Sequence, residues 1–115
     1  MERMTRSYVL LVIAIVAEVI ATSALKASDG FSRWMPSALV VGGYAVAFSA
    51  LSMSLKAGLS VGVAYAIWSG VGIILIAAIG ALVYGERVDG PAVAGFGLIV
   101  AGVVVINLFS RLVKH

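Results

Sequence analysis

Four runs of about 19 to 24 apolar residues, Ser7 to Leu25, Pro36 to Leu55, Val61 to Tyr84 and Pro91 to Phe109, take up most of this 115-residue chain. About 20 residues of helix, rising 1.5 Å each, cross a hydrocarbon core about 30 Å thick. Inside lipid no water is available to the backbone, so a continuous apolar run has to satisfy its own N–H and C=O groups as a helix. The links carry turn signals, Gly30 in "SDG", Gly58 in "KAG" and "VDGP" at Gly90, and they are short enough to make neighbouring helices antiparallel. The sequence therefore predicts an all-α membrane protein with four transmembrane helices and one domain over residues 1–115. With 63% hydrophobic and only 11% charged residues, the composition lies outside the soluble range.

Arg3 and Arg6 before an apolar run that ends in "ATSA" imitate a secretory signal with a small-residue cleavage site. The acid inside that run and the equally apolar remainder of the chain argue against it. There is no cysteine, hence no disulfide framework and no thiolate metal site. The net charge of +3 is no nucleic-acid signature, because the eight Lys and Arg residues stand singly at the ends of the apolar runs, as interfacial anchors do. Arg3, Arg6, Lys56, Arg111 and Lys114 fall on one side, and Lys26, Arg33 and Arg87 on the other. Five against three is a weak positive-inside bias. It fits a cytoplasmic N-terminus, and equally a chain that inserts both ways round.

One charge breaks the pattern: Glu18, in the middle of the first run. A charge at the centre of a membrane helix costs about 2.5–3.5 kcal/mol on insertion scales, so an acid there marks a functional site by default. Residues three and four away share its helix face, and these are Ala14, Ile15, Ala21 and Thr22. Their size leaves space for a ligand or for a closely packed helix. The alternative is a protonated acid that only bonds a neighbouring helix. In the second run Tyr44, Phe48 and Ser52 form one stripe, as cation-attracting aromatic faces or as core filling. The third opens with "GVAYAIWSGVG", placing Tyr65, Trp68, Ser69 and Gly72 on one face, with Gly70 and Gly72 at a plausible bend and Tyr65 also suited to an interfacial belt. The fourth has a small-residue stripe, Gly90, Ala94, Gly97 and Ala101, with Gly95 and Gly102 on an adjoining face, a spacing that permits close helix contact. His115 is solitary and expected to be inert.

No nucleophile and base pair, phosphate-cradling loop or metal-ligand cluster is present in the sequence, which speaks against an enzyme and against a cofactor or metal. Low dielectric disfavours a bare carboxylate, so an acid in this setting holds either a proton or an organic cation. Four helices enclose a pathway poorly, whereas two copies would bring two Glu18 side chains together in an eight-helix assembly.

The segments "AEVIATSALK", "DGFSRWMPS", "GVAYAIWSGVG" and "GLIVAGVVVINL" resemble those of the small multidrug resistance family of bacterial inner-membrane transporters, over essentially the whole chain from Tyr8 to Arg111. The resemblance implies an antiparallel homodimer of four-helix subunits in the inner membrane, exchanging protons for cationic, often aromatic compounds. It matches Glu18 to the shared carboxylate, Tyr65 and Trp68 to binding-site aromatics, and Tyr44 and Phe48 to the second-helix aromatics of the drug-exporting branch. It also matches Ala14, Ile15, Ala21, Thr22 and Ser69 to the surrounding wall, Gly70 and Gly72 to a third-helix kink, and Gly95 and Gly102 to the dimerising face. The guanidinium-exporting branch typically has Trp three residues after the acid, where this chain has Ala21. That difference and Tyr44 favour a looser pocket for quaternary ammonium drugs. The partners expected are therefore organic cations, protons, lipid and a second copy of the chain, without nucleic acid. An accessory membrane subunit, a channel or an unlike paired subunit are the alternatives.

Overall fold

The computed structural model describes residues 2–110, with side chains from residue 5 onward. Arg111, Lys114 and His115 lie outside the described residues, as does the side chain of Arg3. Four helices follow one another: α1 (Glu2–Ala27), α2 (Trp34–Lys56), α3 (Val61–Val83) and α4 (Gly90–Phe109). Each contains a stretch of 20 or 23 residues long and apolar enough to cross a membrane. The protein is an all-helical, multi-pass membrane protein.

The helix ends follow local chemistry more than hydropathy. α1 stops at Ser28, whose hydroxyl donates to the Leu25 carbonyl at 2.7 Å and accepts from the Phe31 N–H at 3.2 Å. The turn beyond needs left-handed backbone at three successive residues, Asp29, Gly30 and Phe31, with φ of 48°, 68° and 68°. α2 begins at Trp34, ahead of the apolar run, because Pro36 is acceptable within a first turn that lacks internal N–H partners anyway. Ser60 caps α3 by accepting from the Val63 N–H, and Asp89 caps α4 by accepting from the Ala92 N–H at 3.0 Å. Tyr84, expected within the third run, caps α3 instead: its N–H and that of Glu86 both reach the Gly80 carbonyl, at 3.1 and 2.9 Å, across Gly85 with φ of 68°.

The described residues divide into two compact helical hairpins, one up to Gly58 and the other from Leu59 onward. In the first, α1 and α2 bury a row of small and branched residues that includes Leu11, Ala14, Ile15, Val19 and Ala21 on α1 and Val40, Ala47 and Ala50 on α2. The helices pack closely where Gly43 faces Ala17 and Ala21; a Cβ on Gly43 would stand 2.7 Å from the Ala21 Cβ. Toward the start of α1 and the end of α2, the buried Ser54 hydroxyl donates to the Ser7 carbonyl at 2.7 Å. In the second hairpin Gly70 of α3 receives Val103 of α4, whose Cγ2 would be 2.8 Å from a Cβ there, with Ile99 beside it. No residue of α4 is buried. Large apolar side chains such as Leu82, Leu98 and Phe109 face outward, which carries little penalty when the solvent is hydrocarbon.

Candidate functional site

Glu18 lies near the middle of α1 and is half-buried. One turn on, the Thr22 hydroxyl donates to its Oε1 at 3.2 Å. The same Thr22 oxygen is 2.6 Å from the Tyr44 hydroxyl on α2. A threonine hydroxyl has one proton to give. When Thr22 gives it to the carboxylate, the short contact to Tyr44 has to be filled by the tyrosine proton, so the chain runs Tyr44 to Thr22 to Glu18. Both donors then point toward the acid, an arrangement that stabilises its negative charge. The other carboxylate oxygen, Oε2, is buried and has no hydrogen-bond partner among the described residues. A buried unsatisfied acceptor is costly, and more so when charged. A proton or a cation at that oxygen removes the cost, so the carboxyl is held at one oxygen and buried without a partner at the other.

What positions this network is the glycine contact. Because Gly43 lacks a side chain, α2 approaches α1 at Ala21, and the next residue on each helix, Tyr44 and Thr22, come within hydrogen-bond reach. Gly43 was not singled out in the sequence; the signal lay in "GGY" opposite small residues four apart, Ala17 and Ala21. Of the two uses open to the small residues near Glu18, Ala21 serves helix packing. Ala14 and Ile15 are buried as well.

Phe48 stacks on Tyr44, with ring centroids 6.1 Å apart and planes inclined by 23°. At 58% exposure it is not core filling within the subunit. Ser52 is also exposed. Glu18, Thr22, Tyr44 and Phe48 thus form one connected group in the first hairpin.

Tyr65, Trp68 and Ser69 stand on α3, in the second hairpin. Tyr65 is 67% exposed, while Trp68 and Ser69 are half-buried. Gly72 is buried, and a Cβ there would sit 3.8 Å from the Trp68 ring. Helix α3 runs without interruption from Val61 to Val83, and Gly70 admits Val103 of α4. On α4, nothing lies within 4 Å of where a Cβ would stand on Gly90, Gly95, Gly97 or Gly102, so the small-residue faces are open in the single chain. Among the described residues no group of His, Cys, Asp and Glu could hold a metal ion.

The family model for the Small Multidrug Resistance protein matches residues 6–99. A quaternary ammonium compound-resistance protein of Escherichia coli, QacE, is 54% identical over 110 residues, covering 96% of this chain and 99% of the relative. A multidrug transporter of Pseudomonas aeruginosa is 55% identical over 109 residues, 95% of this chain and 98% of its own length. A multidrug resistance protein of Mycolicibacterium paratuberculosis is 46% identical over 102 residues, 89% of this chain and 95% of the relative. With a family model over most of its length and relatives of this identity end to end, the chain belongs to the Small Multidrug Resistance family of membrane transporters and is not an enzyme.

Proposed function

We propose that this protein is a proton-coupled antiporter of the bacterial inner membrane that exports hydrophobic, often aromatic cations of the quaternary ammonium type. The observation that carries the reading is the Glu18 carboxyl, with Oε1 held by Thr22 and Oε2 buried without a partner. Relatives named for quaternary ammonium resistance and multidrug transport support the substrate class. Ala21 supports it further: its Cβ faces Gly43 too closely for the Trp of a guanidinium-type site on this backbone.

In this reading residues 1–115 form one transmembrane domain, and two copies assemble antiparallel with the Glu18 of each subunit in a shared site. Tyr44, Phe48, Tyr65, Trp68 and Ser69 recognise the cation with Thr22 beside the carboxyl, Ala14, Ile15 and Ala21 back the wall from within the hairpin, Gly70 and Gly72 allow α3 to bend, and Gly95 and Gly102 provide the contact between subunits. A site that is empty and doubly ionised would carry uncompensated charge through the bilayer, so it changes sides chiefly when protonated or cation-loaded. Protons entering from outside then drive the cation out. If two protons exchange for one monovalent cation, one net charge moves inward, and the membrane potential contributes about 2.3 kcal/mol per 100 mV.

The decisive experiment adds a quaternary ammonium compound to the purified protein in weak buffer and measures proton release. Saturable release, absent from Glu18→Gln, is the expected result. Absence of binding would overturn the reading in favour of an accessory subunit, and binding without release, or release that Glu18→Gln retains, would overturn proton coupling through Glu18. The antiparallel pair has its own check. A single cysteine at Ser110 is expected to label from both membrane faces, and labelling from one face in a preparation that still transports would favour a parallel dimer or an unlike partner.

A further inference from the structure

Away from Glu18, the first hairpin carries a groove of about 870 Å³. Its floor is made by Ala17 and Ile20 of α1 and by Leu39, Gly42, Gly43 and Val46 of α2, and its mouth by Arg33, Trp34 and Met35. It belongs to a different side of both helices from the acid. At about 100° per residue, Gly42 and Val46, two residues either side of Tyr44, point about 160° away from it. On α1, Ile20 points about 160° away from Glu18 and Ala17 about 100° away. Ile20, Leu39 and Val46 are exposed, so the groove opens outward from the hairpin.

We propose that this groove is the seat of one anionic phospholipid, with its headgroup at Arg33 and an acyl chain along the Leu39, Gly42 and Val46 stripe. Three features commit it to that occupant. The first is charge: the Arg33 guanidinium, at the loop end of α2, donates only to the Ala27 carbonyl at 3.4 Å and faces no carboxylate within ion-pair distance among the described residues. The second is placement. Trp34, 78% exposed beside Arg33, is the aromatic and basic pair that settles at headgroup level, which sets the groove's mouth at the interface. The third is length. Val46 is eleven residues beyond Met35, about 16 Å at 1.5 Å per residue, close to half of the about 30 Å hydrocarbon core. The groove therefore runs one leaflet deep, with a cation at the top and apolar walls below.

The test uses the only tryptophan of the groove as its reporter. Trp34 and Trp68 are the two tryptophans of the chain, so Trp68→Phe leaves Trp34 alone. In detergent micelles titrated with a few lipids per subunit, phosphatidylglycerol brominated near the top of one acyl chain is expected to quench Trp34 at about one fifth of the concentration needed for the matching phosphatidylcholine, the discrimination one basic residue near a charged headgroup supplies. Arg33→Gln removes the preference and Arg33→Lys keeps it. Gly42→Leu, at a position where nothing lies within 4 Å of a Cβ, fills the groove without touching the helix contact and lowers quenching by both lipids. Equal quenching by the two lipids in the unaltered protein would overturn the proposal. So would quenching that Gly42→Leu leaves unchanged, and so would a Trp34 that neither lipid reaches because a second copy covers the face.

Discussion

Between α1 and α2, polar groups meet as well as apolar ones: Ser54 bonds the Ser7 backbone, Tyr44 bonds Thr22, and Gly43 lets the two helices close on Ala21. Between α3 and α4 the close contact is Gly70 against Val103 and Ile99, and no residue of α4 is buried. The runs are of similar length, α2 being less apolar than the other three, and one hairpin has its register pinned at two places by hydrogen bonds while the other leaves a helix open to its surroundings. In lipid, apolar surface alone drives little association, so helices hold one another through close packing and polar bonds. A hairpin with both can fix a carboxylate to within a hydrogen bond's tolerance. A helix with an open face of small residues has room on that face for the close approach of another helix.

Glu18→Gln tests the pinned hairpin most severely. Coupled exchange should fall to background while the protein still inserts, because a neutral amide is cheaper to bury; transport assays and membrane extraction read both. On the proposed mechanism protons and cations compete for the same oxygen in the unaltered protein, so cation affinity is expected to fall as pH is lowered. An affinity that holds steady from acid to alkaline pH would separate the hydrogen-bonded acid from transport.

A matched pair of glycine substitutions sets the two hairpins against each other. Gly43→Val forces the Ala21 contact apart and should cost about 1–3 kcal/mol of subunit stability, with loss of cation binding as Tyr44 moves from Thr22. Gly102→Val meets nothing within 4 Å in the subunit, so it should leave subunit stability unchanged and weaken self-association. Thermal unfolding and cross-linking in detergent distinguish the outcomes. Equal destabilisation by both would erase the contrast.

Trp68→Ala should weaken aromatic quaternary cations by about 1–2 kcal/mol if the indole face binds them. Unchanged binding with lower stability would make Trp68 a packing residue of the second hairpin. The smallest effect is expected from Tyr44→Phe, which keeps the ring beside Phe48 and removes one hydrogen bond. Its cost to stability should be about 0.5–1.5 kcal/mol, with a smaller loss of cation affinity than Gly43→Val causes. Unchanged cation affinity would show that the Thr22 and Tyr44 contact only holds the helices.

Residue by residue, legibility in the sequence followed the range of the interaction. Glu18 was visible because one charge in an apolar run is anomalous whatever the helix packs against. Thr22 was visible as its neighbour one turn along. The pairing of Thr22 with Tyr44 was not, because both were candidates on separate helices and nothing in the spacing joined them. The contact of Gly70 with Val103 was not legible either, because nothing in the spacing of α3 points to a partner on α4. Gly43 and the Arg33 groove escaped notice because neither carries a local anomaly: glycines are common in membrane helices, and an arginine in a loop reads as an anchor.

Hydropathy and length alone determined that this chain crosses a membrane as four helices, since an apolar run of that length can satisfy its backbone in lipid only as a helix. The tertiary structure alone decided which faces of those helices meet. The rotation and register of α2 on α1 depend on where a side chain is missing, at Gly43, and on which hydroxyls then come within 2.6 to 2.7 Å of a partner on the other helix. Such contacts join residues 22 and 47 positions apart, beyond the reach of any helical periodicity, and the first of them ties to α2 the same Thr22 hydroxyl that, one turn along α1, holds one oxygen of Glu18.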